Sequence, residues 1–269
     1  MLADSSLPTA EGTAIQPSLS SDHDLRVPCF CEENAWRVVY RHLHLTDMMN
    51  ERRNTIYTHY YVVFVSNRRK CCPFFQQRAK PKPDGSSKKM EYVCWDYHVI
   101  VIRCINSKED DDHGEGDGTA KVKTKTEVLD IDTWLPYPCP IDEYLARSFP
   151  HAMNDNSSKC DPEYLPFFRV VSAQNYLKYF YSDRMHMYNK ERGEWLAQPP
   201  NYAPIMNGLS LDDTKQTDGD EDSSSNTKSN LDMYINMEQS KDDGCDDLLE
   251  ERMGKVYSLE QFRTTFGSR

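Results

Sequence analysis

Residues 90–105 constrain the fold of this chain more than any other stretch. They are dense in β-branched and aromatic side chains, with apolar residues at both odd and even positions. That pattern predicts a strand buried on both faces, as in the interior of a sheet covered on each side. The same stretch carries Trp95-Asp96-Tyr97-His98, polar groups that a plain core strand would lack. We therefore expect a central strand that also contributes to a functional site.

The other elements predict one mixed α+β domain over residues 28–269. Further strands are predicted at 57–65, 126–135 and 167–172, and helices at 141–149, 173–181 and 256–266. Ser258 is the expected N-cap of the last helix. Strand 126–135 should pair antiparallel with 90–105, as a hairpin whose tip has been enlarged.

Composition indicates that part of the length is solvated. Hydrophobic residues make up 38% of the chain and the mean hydropathy is −0.78, both low for a chain packed entirely into a core. Residues 1–27 predict a disordered N-terminal tail, because they are polar and lack periodicity. Acidic or Gly/Ser/Lys-rich tracts predict disordered insertions at about 106–125, 207–230 and 240–248.

Charge and cysteine usage limit the partners and the compartment. A net charge of −11 argues against nucleic acid or an anionic membrane as the partner. The first residues lack the pattern of a signal peptide, and the longest apolar runs are too short to span a bilayer. Nine cysteines, an odd number at irregular spacing, favour reduced thiols. We expect a monomer in the cytoplasm, with the nucleus as a second location.

A thiol stands at the start of the first predicted helix. Apolar positions recur at helical spacing from Cys31 to about residue 48. The helix dipole lowers the pKa of a thiol at this position, whereas the adjacent Glu32 and Glu33 oppose a thiolate. Activation of Cys31 therefore requires a nearby imidazolium.

His98 is the best candidate for that imidazole, because it lies in the apolar central strand. On the following strand Asp130 and Asp132 share one face, and either could meet His98 if the two strands pair antiparallel. Spacing alone does not choose between them. The other histidines lack a second polar group in a comparable apolar setting. In the simpler, non-catalytic interpretation, Cys31 is a small buried side chain and His98 is a core histidine whose hydrogen bonds are satisfied. The aspartates would then cap a turn.

Metal binding is the rival use of the cysteines. Cys29 and Cys31 are separated by one residue, and Cys71 adjoins Cys72, so neither pair has the two-residue gap of a zinc knuckle. The Asp-rich runs lack the spacing and glycine of a calcium loop. We expect no metal and no organic cofactor.

Several blocks in order resemble the eukaryotic protein N-terminal glutamine amidohydrolases. The blocks lie along most of residues 29–206 and 231–267, and they are Cys31-Glu32-Glu33-Asn34, Trp95-Asp96-Tyr97-His98-Val99, the segment 130–139, Phe168-Arg169-Val170, Tyr176-Leu177, the segment 182–187, Pro199-Pro200-x-Tyr202 and Val256-Tyr257-Ser258-Leu259 with Phe262 and Phe266-Gly267. The resemblance implies a papain-like or transglutaminase-like α+β fold with a central antiparallel sheet and a Cys-His-Asp triad. The long tracts 106–125 and 207–230 depart from the family and touch no triad position.

Carried over position by position, the resemblance makes Cys31, not Cys29, the nucleophile, His98 the base and Asp130 the orienting carboxylate. It implies hydrolysis of the side-chain amide of an N-terminal glutamine to glutamate and ammonia, through a thioester. The new N-terminal glutamate would feed an N-degron degradation pathway. The partners would be the N-terminal segments of protein substrates that begin with Gln.

Selecting a terminal glutamine requires recognition of a free α-ammonium, which acidic groups near the thiol could supply. The candidate substrate-binding residues are Glu32, Glu33, Trp95, Asp96, Tyr97 and Asp132. Glu32 and Glu33 have an alternative role in capping the helix and complementing its dipole. Two other functions remain open: a papain-like thiol peptidase or transglutaminase-type acyltransferase with the same triad, and a non-catalytic binding protein on the same fold.

Overall fold

The computed structural model describes residues 21–44, 56–82, 91–108, 122–153, 161–206, 228–238, 250 and 252–268. Its centre is a six-stranded sheet in which every neighbouring pair is antiparallel. The strands are β1 (Ile56–Ser66), β2 (Cys72–Phe75), β3 (Tyr92–Trp95), β4 (Tyr97–Lys108), β5 (Val122–Leu129), β6 (Cys139–Pro140), β7 (Phe167–Ser172), β8 (Tyr188–Asn189), β9 (Glu194–Trp195) and β10 (Lys255–Ser258). The central sheet has the order β10-β7-β1-β4-β5-β6, while β2 with β3 and β8 with β9 form two small hairpins. The predicted central antiparallel sheet is confirmed.

Helices cover both faces of this sheet. They are α1 (Cys31–His44), α2 (Ile141–Ser148), α3 (Pro150–Met153), α4 (Ala173–Tyr179), α5 (Leu231–Ile235) and α6 (Leu259–Phe266), with 3-10 turns η1 (Asp22–Leu25), η2 (Pro162–Tyr164) and η3 (Met185–Met187). Val62 and Phe64 of β1 pack with α1, α4 and α5, whereas Val63 and Val65 pack on the opposite side with α2 and α6. Alternate side chains of one strand therefore enter two cores, which explains the runs of consecutive apolar residues at 62–65 of β1 and 99–102 of β4.

The register brings the end of β5 toward the start of β4. Val101 of β4 pairs with Leu129, the last residue of β5. Because the pair is antiparallel, the chain after Leu129 runs back along β4 toward His98. On the other side of β4, His98 pairs with Val65 of β1. His98 therefore lies between a core strand and the loop that follows β5.

Helix α1 begins at Cys31, as predicted, and is described as far as His44. Trp36, Val38 and Val39 lie at most 1% exposed on its inner face. Burying an apolar side chain of this size contributes about 1.5–3 kcal/mol, so this face fixes the helix on the sheet. The expected continuation toward residue 48 lies outside the described residues.

Two strand predictions need correction. The stretch 90–105 forms two strands, β3 and β4, which are separated at Asp96. There the Asp96 carbonyl accepts a hydrogen bond from the Ser66 hydroxyl, and its carboxylate accepts the N–H of Tyr97. The predicted strand 126–135 ends at Leu129, so Asp130 and Asp132 lie in a loop rather than on one face of a strand. In that loop, the Trp134 N–H donates a hydrogen bond to the carbonyl oxygen of Gln76.

The N-terminal boundary also differs from the sequence prediction. Residues 21–27, assigned to the disordered tail, contain η1, and Leu25 is fully buried in the core that α1 shares. Ser21 caps this turn with a reciprocal capping box to Asp24. Leu25 could not be recognised as a core residue from the sequence, because a single buried residue shows no periodicity. The rest of the tail, residues 1–20, lies outside the described residues.

Of the predicted insertions, 109–121, 207–227 and 239–249 lie outside the described residues. At the edges of the first tract the hairpin continues further than predicted, because Asn106 pairs with Thr124. In the last predicted helix, residues 255–258 form strand β10, and helix α6 begins at Leu259. Ser258 caps α6 as predicted. Within the described ranges, no helix is long and apolar enough to cross a membrane.

Candidate active site

Cys31 is the first residue of α1, where the helix meets the start of β4. The backbone N–H of Val99, the residue after His98, donates a hydrogen bond to the Cys31 sulfur. The same sulfur lies 3.6 Å from Oε2 of Glu32. Cys29 stands apart from this arrangement, because it is exposed and has left-handed backbone with φ of 68°. The fold therefore brings Cys31 beside the backbone of the His98 segment.

His98 and Asp130 form a buried hydrogen-bonded pair. Nε2 of His98 is 3.2 Å from Oδ1 of Asp130, and their side chains are only 3% and 2% exposed. Oδ2 of Asp130 accepts a hydrogen bond from the Tyr144 hydroxyl at 2.7 Å, and Oδ1 also accepts Asp132 N–H at 2.9 Å. Asp130 is thus held from α2 and from its own loop, while it binds the imidazole.

Aromatic rings fix the imidazole on its other sides. The indole of Trp95 is stacked at 6.3 Å between ring centroids, and Phe74 of β2 meets the imidazole edge-on at 5.3 Å. Because Nε2 is engaged by Asp130, Nδ1 is the ring nitrogen left for a thiol proton. Strand β2 was not predicted from the sequence, since four residues are too few to show a period.

The electrostatics of the pair favour a charged imidazole. Burial alone would lower the pKa of His98, but the carboxylate of Asp130, supported by Asp132, outweighs burial and raises it. Burial would raise the pKa of Asp130, but the imidazole of His98 and the Tyr144 hydroxyl lower it. Asp130 therefore remains negatively charged and stabilises the imidazolium that forms when His98 accepts a proton.

The environment of the Cys31 thiol, in contrast, disfavours its charged form. Burial, followed by the negative charges of Glu32 and Asp132, raises the pKa of Cys31 well above its ordinary value. The Val99 N–H opposes this shift without cancelling it. The prediction that neighbouring glutamate charge counteracts the helix dipole is consistent with this direction. The isolated protein therefore carries Cys31 as a neutral thiol at neutral pH.

Glu32 is a fully buried carboxylate with one oxygen that accepts no hydrogen bond. Oε2 accepts a hydrogen bond from the Tyr97 hydroxyl at 3.1 Å, whereas Oε1 has no hydrogen-bond partner. Nε2 of His186, in η3, lies 3.5 Å from Oε1 and 3.4 Å from the Tyr97 hydroxyl. Burial would lower the pKa of His186, but Glu32 raises it. From the sequence we expected no polar partner for His186, and this was wrong because Glu32 is that partner.

Glu33 has a different environment. Both of its oxygens are bound by the guanidinium of Arg184, through Nε at 2.5 Å and Nη2 at 2.8 Å. Arg184 also donates to the carbonyl oxygens of Tyr202 and Ala203. Glu33, a candidate substrate-binding residue in the sequence, is thus already engaged in an ion pair that joins α1 to the segment after α4. Arg184 lies in one of the resemblance blocks, but its pairing with Glu33 could not be read from the sequence, because the two residues are 151 positions apart.

The remaining candidates are Asp132, Asp96 and Trp95. Asp132 pairs with Arg26 at 2.6 Å and meets the Asn34 amide at 3.5 Å. Asp96 is exposed, and Trp95 is half-buried with no hydrogen-bond partner for its indole N–H. In the described part of the chain, no three His, Cys, Asp or Glu side chains are grouped so that they could hold a metal ion.

The sequence profile of a family described as N-terminal glutamine amidase matches residues 26–266. The chain belongs to the N-terminal glutamine amidase family. Its relatives in this family include proteins named protein N-terminal glutamine amidohydrolase. The Bos taurus protein is 30% identical over 97% of this chain and 96% of its own length. The Homo sapiens protein is 30% identical over 90% and 87%, and the Arabidopsis thaliana protein 34% over 66% and 67%.

Membership of the N-terminal glutamine amidase family confirms the resemblance read from the sequence blocks. The matched residues include Cys31, His98 and Asp130. The match begins before the first internal segment that the structure does not describe and ends after the last one. The name of the relatives describes a hydrolase that acts on an amide. In this chain the region between α1, β4 and the loop after β5 is the candidate site for such chemistry.

Proposed function

We propose that this chain hydrolyses the side-chain amide of an N-terminal glutamine in peptides and proteins, giving N-terminal glutamate and ammonia. The observation that carries the proposal is the buried His98–Asp130 pair next to Val99, whose N–H binds the Cys31 sulfur. A thiol, an imidazole and a carboxylate are the three groups that thiol-dependent acyl transfer requires. Family membership supplies the amide as the bond that is cleaved.

In the proposed first half-reaction, the proton of Cys31 passes to His98 as the sulfur attacks the amide carbon. The carbon–nitrogen bond then breaks, and His98 gives its proton to the departing nitrogen, so that ammonia leaves and a thioester remains. Asp130 keeps the imidazole oriented through Nε2 and stabilises its positive charge. The Cys31 backbone N–H, at the start of α1, is suited to bind the oxyanion.

In the second half-reaction, water gives a proton to His98 and attacks the thioester carbon. The carbon–sulfur bond breaks, the sulfur recovers the proton, and N-terminal glutamate is released. General acid–base catalysis of this kind contributes about 10²–10⁴-fold to the rate. The high pKa of Cys31 in the free protein makes His98 necessary for every attack, because little thiolate exists beforehand.

The proposed fold type is that of papain-like or transglutaminase-like cysteine hydrolases. Two features support it. Cys31 lies on the first turn of α1, and this helix packs on an antiparallel sheet in which strand β4 carries His98. We further propose that the product enters an N-degron degradation pathway in the cytoplasm or nucleus and that the enzyme acts as a monomer. The free thiols of the described cysteines are in keeping with a reducing compartment.

Mass spectrometry of a Gln-initiated peptide tests the reaction and the nucleophile together. Wild-type protein should add about one mass unit to the peptide and release ammonia, and Cys31→Ala should abolish both. Cys29→Ala is the matched control, since its thiol is two residues away, and it should retain turnover. A shortened peptide would indicate a peptidase, and an adduct with an added amine a transglutaminase. No product from wild type would favour a binding protein.

A further inference from the structure

The unexplained feature of the site is Oε1 of Glu32, whose charged neighbour is Nε2 of His186 at 3.5 Å. The side chain is 0% exposed, yet Oε1 has no hydrogen-bond partner. A buried carboxylate oxygen without a donor is costly, and native proteins seldom keep one without a purpose. This charge lies 3.6 Å from the Cys31 sulfur, where it opposes the thiolate that the reaction needs. A ligand with a positive charge would relieve both costs.

We propose that the substrate's α-ammonium binds Glu32 and, by neutralising its charge beside Cys31, activates the thiol that attacks the same substrate. This inference rests on the proposed amidase function and adds to it the ammonium ligand and its effect on the nucleophile. Recognition of the chain terminus and activation of the sulfur would then be one event. A peptide without a free α-amine would be a poor substrate because the thiol remains protonated.

The other acidic groups near the sulfur are already matched or solvated. Glu33 is bound through both oxygens by Arg184, and Asp132 pairs with Arg26. Asp130 is engaged by His98, and Asp96 is exposed to solvent. Among these candidates, Glu32 alone combines full burial with a carboxylate oxygen that accepts no hydrogen bond, and its neighbour His186 is partly exposed at 3.5 Å.

The dimensions of glutamine fit this assignment. Four single bonds separate the α-nitrogen from the side-chain amide carbon, which places them at most about 5 Å apart. An attacking sulfur lies about 3–3.5 Å from its carbon in a productive complex. An ammonium bonded to Oε1 of Glu32 therefore leaves the amide carbon within reach of Cys31, since the carboxylate and sulfur are in contact. The ammonium supplies the donors that Oε1 lacks, and the Tyr97 hydroxyl oxygen stands beside it as a second acceptor.

The groups that face the thiol and Glu32 come from four elements. Glu32 acts from α1, Asp96 and the Val99 N–H from the β3–β4 segment, and Asp132 from the loop after β5. His186 of η3 faces Oε1 and is 24% exposed, so it stands on the solvent side of the carboxylate. Next to burial, Glu32 is the largest cause that raises the pKa of Cys31. Removing its charge should therefore affect the thiol more than removing any other single carboxylate.

The first experiment measures thiol reactivity and needs no turnover. The rate of Cys31 alkylation by iodoacetamide is followed against pH in wild type and Glu32→Gln. The variant should react at least about tenfold faster at pH 7, which corresponds to a thiol pKa lowered by one or more units. Glu127→Gln is the matched control, because this buried carboxylate pairs with Arg103, four residues along β4 from Val99, and it should leave the rate unchanged. An unchanged rate in Glu32→Gln would overturn the activating role.

The second experiment measures specificity. Ammonia release is compared between a Gln-initiated peptide and its des-amino analogue, which carries a 4-carbamoylbutanoyl group in place of glutamine. Wild type should prefer the Gln peptide at least about a hundredfold in kcat/KM, and Glu32→Gln should reduce that preference to a few-fold. Retention of the full preference in Glu32→Gln, or its loss in Asp96→Asn instead, would overturn the assignment to Glu32.

Wild type alone gives an independent check should the variant not fold. On the des-amino analogue kcat should rise with pH as the thiol ionises, whereas on the Gln peptide it should reach its plateau at lower pH. Identical pH profiles of kcat for the two substrates would contradict activation by the ammonium. A wild type that releases no ammonia from the Gln peptide would instead refute the amidase function itself, so the two failures are distinguishable.

Discussion

Arg184 holds both carboxylate oxygens of Glu33, and the two side chains are 5% and 0% exposed. The pair joins the first turn of α1 to the segment that carries His186, because Arg184 precedes η3 directly. Its position next to Glu32 makes it a support for the acidic side of the site. Buried ion pairs of this kind matter most when one partner is removed.

Replacing Arg184 with Met should therefore destabilise the protein by about 3–5 kcal/mol, since Glu33 would be left as an unpaired buried charge. The measurement is the free energy of unfolding in urea. Arg192→Met provides the control, because Arg192 and Glu194 form a pair that is 75% and 60% exposed and should change stability little. Adding Glu33→Gln to Arg184→Met should recover part of the loss. Equal effects of the two arginine substitutions would contradict a structural role for the buried pair.

Asp130→Asn should lower kcat on the Gln peptide by about 10²–10⁴-fold with a small change in KM. The amide that replaces the carboxylate cannot stabilise the imidazolium and favours the wrong tautomer of His98. Tyr144→Phe removes one hydrogen bond to Asp130 and should cost less, with a shift in the pH profile of kcat. Tyr164→Phe, at a surface tyrosine that is 38% exposed, should leave the kinetics unaltered. A fully active Asp130→Asn would remove Asp130 from the triad.

The pH dependence of stability should distinguish the buried His98 from the half-buried His151. The pKa of His98 is raised in the folded protein, so its stabilising effect is complete below about pH 6.5 and declines as pH rises through the folded value. Asp130 stays ionised in this range because its pKa is lowered. His98→Asn should therefore lower Tm more at pH 5.5 than at pH 9.

His151 supplies the control of opposite sign. Burial lowers its pKa, and neither ring nitrogen has a hydrogen-bond partner. The folded protein is more stable when the His151 ring is neutral. His151→Asn should therefore lower Tm more at pH 9 than at pH 5.5. Thermal unfolding followed by circular dichroism at the two pH values gives both comparisons. The same pH trend for His98 and His151 would contradict the charged His98–Asp130 pair.

Two glycines with left-handed backbone should respond very differently to alanine. A Cβ at Gly254 (φ of 70°) would lie 2.0 Å from the carbonyl oxygen of Val170 in β7, whereas a Cβ at Gly193 (φ of 67°) meets nothing closer than 3.8 Å. Gly193→Ala should cost about 1–2 kcal/mol from backbone strain alone. Gly254→Ala adds a clash with a sheet strand and should cost clearly more in urea unfolding. Equal costs would show that the chain at β10 shifts freely.

Local patterns in the sequence carried a large part of the fold. The β-branched run at 57–65 and the short strand at 167–172 correspond to β1 and β7, because a strand buried on both faces carries consecutive apolar residues. Helix α1 was recognisable from its periodicity and began at Cys31 as predicted. The Ser258 cap was recognisable from a single residue type, although the strand β10 before it was not.

Long-range contacts explain what local patterns missed. Spacing left Asp130 and Asp132 equal as partners of His98, and the choice depends on where β5 ends. Because Leu129 is the last strand residue, Asp130 turns inward to Tyr144 and His98, while Asp132 meets Arg26. The contact of Glu32 with His186 joins residues more than 150 positions apart, and such a pair has no sequence signature.

The residues before α1 define where the folded unit starts. Arg26 binds Asp132, the Asn34 side chain holds both the N–H and the carbonyl of Val27, and Asp22 accepts hydrogen bonds from Tyr137 and His42. These contacts attach the chain to the loop after β5 before it enters the helix. The nucleophile's helix is therefore anchored by what precedes it, and the smallest fragment with a correctly placed thiol must include Asp22 rather than begin at Pro28.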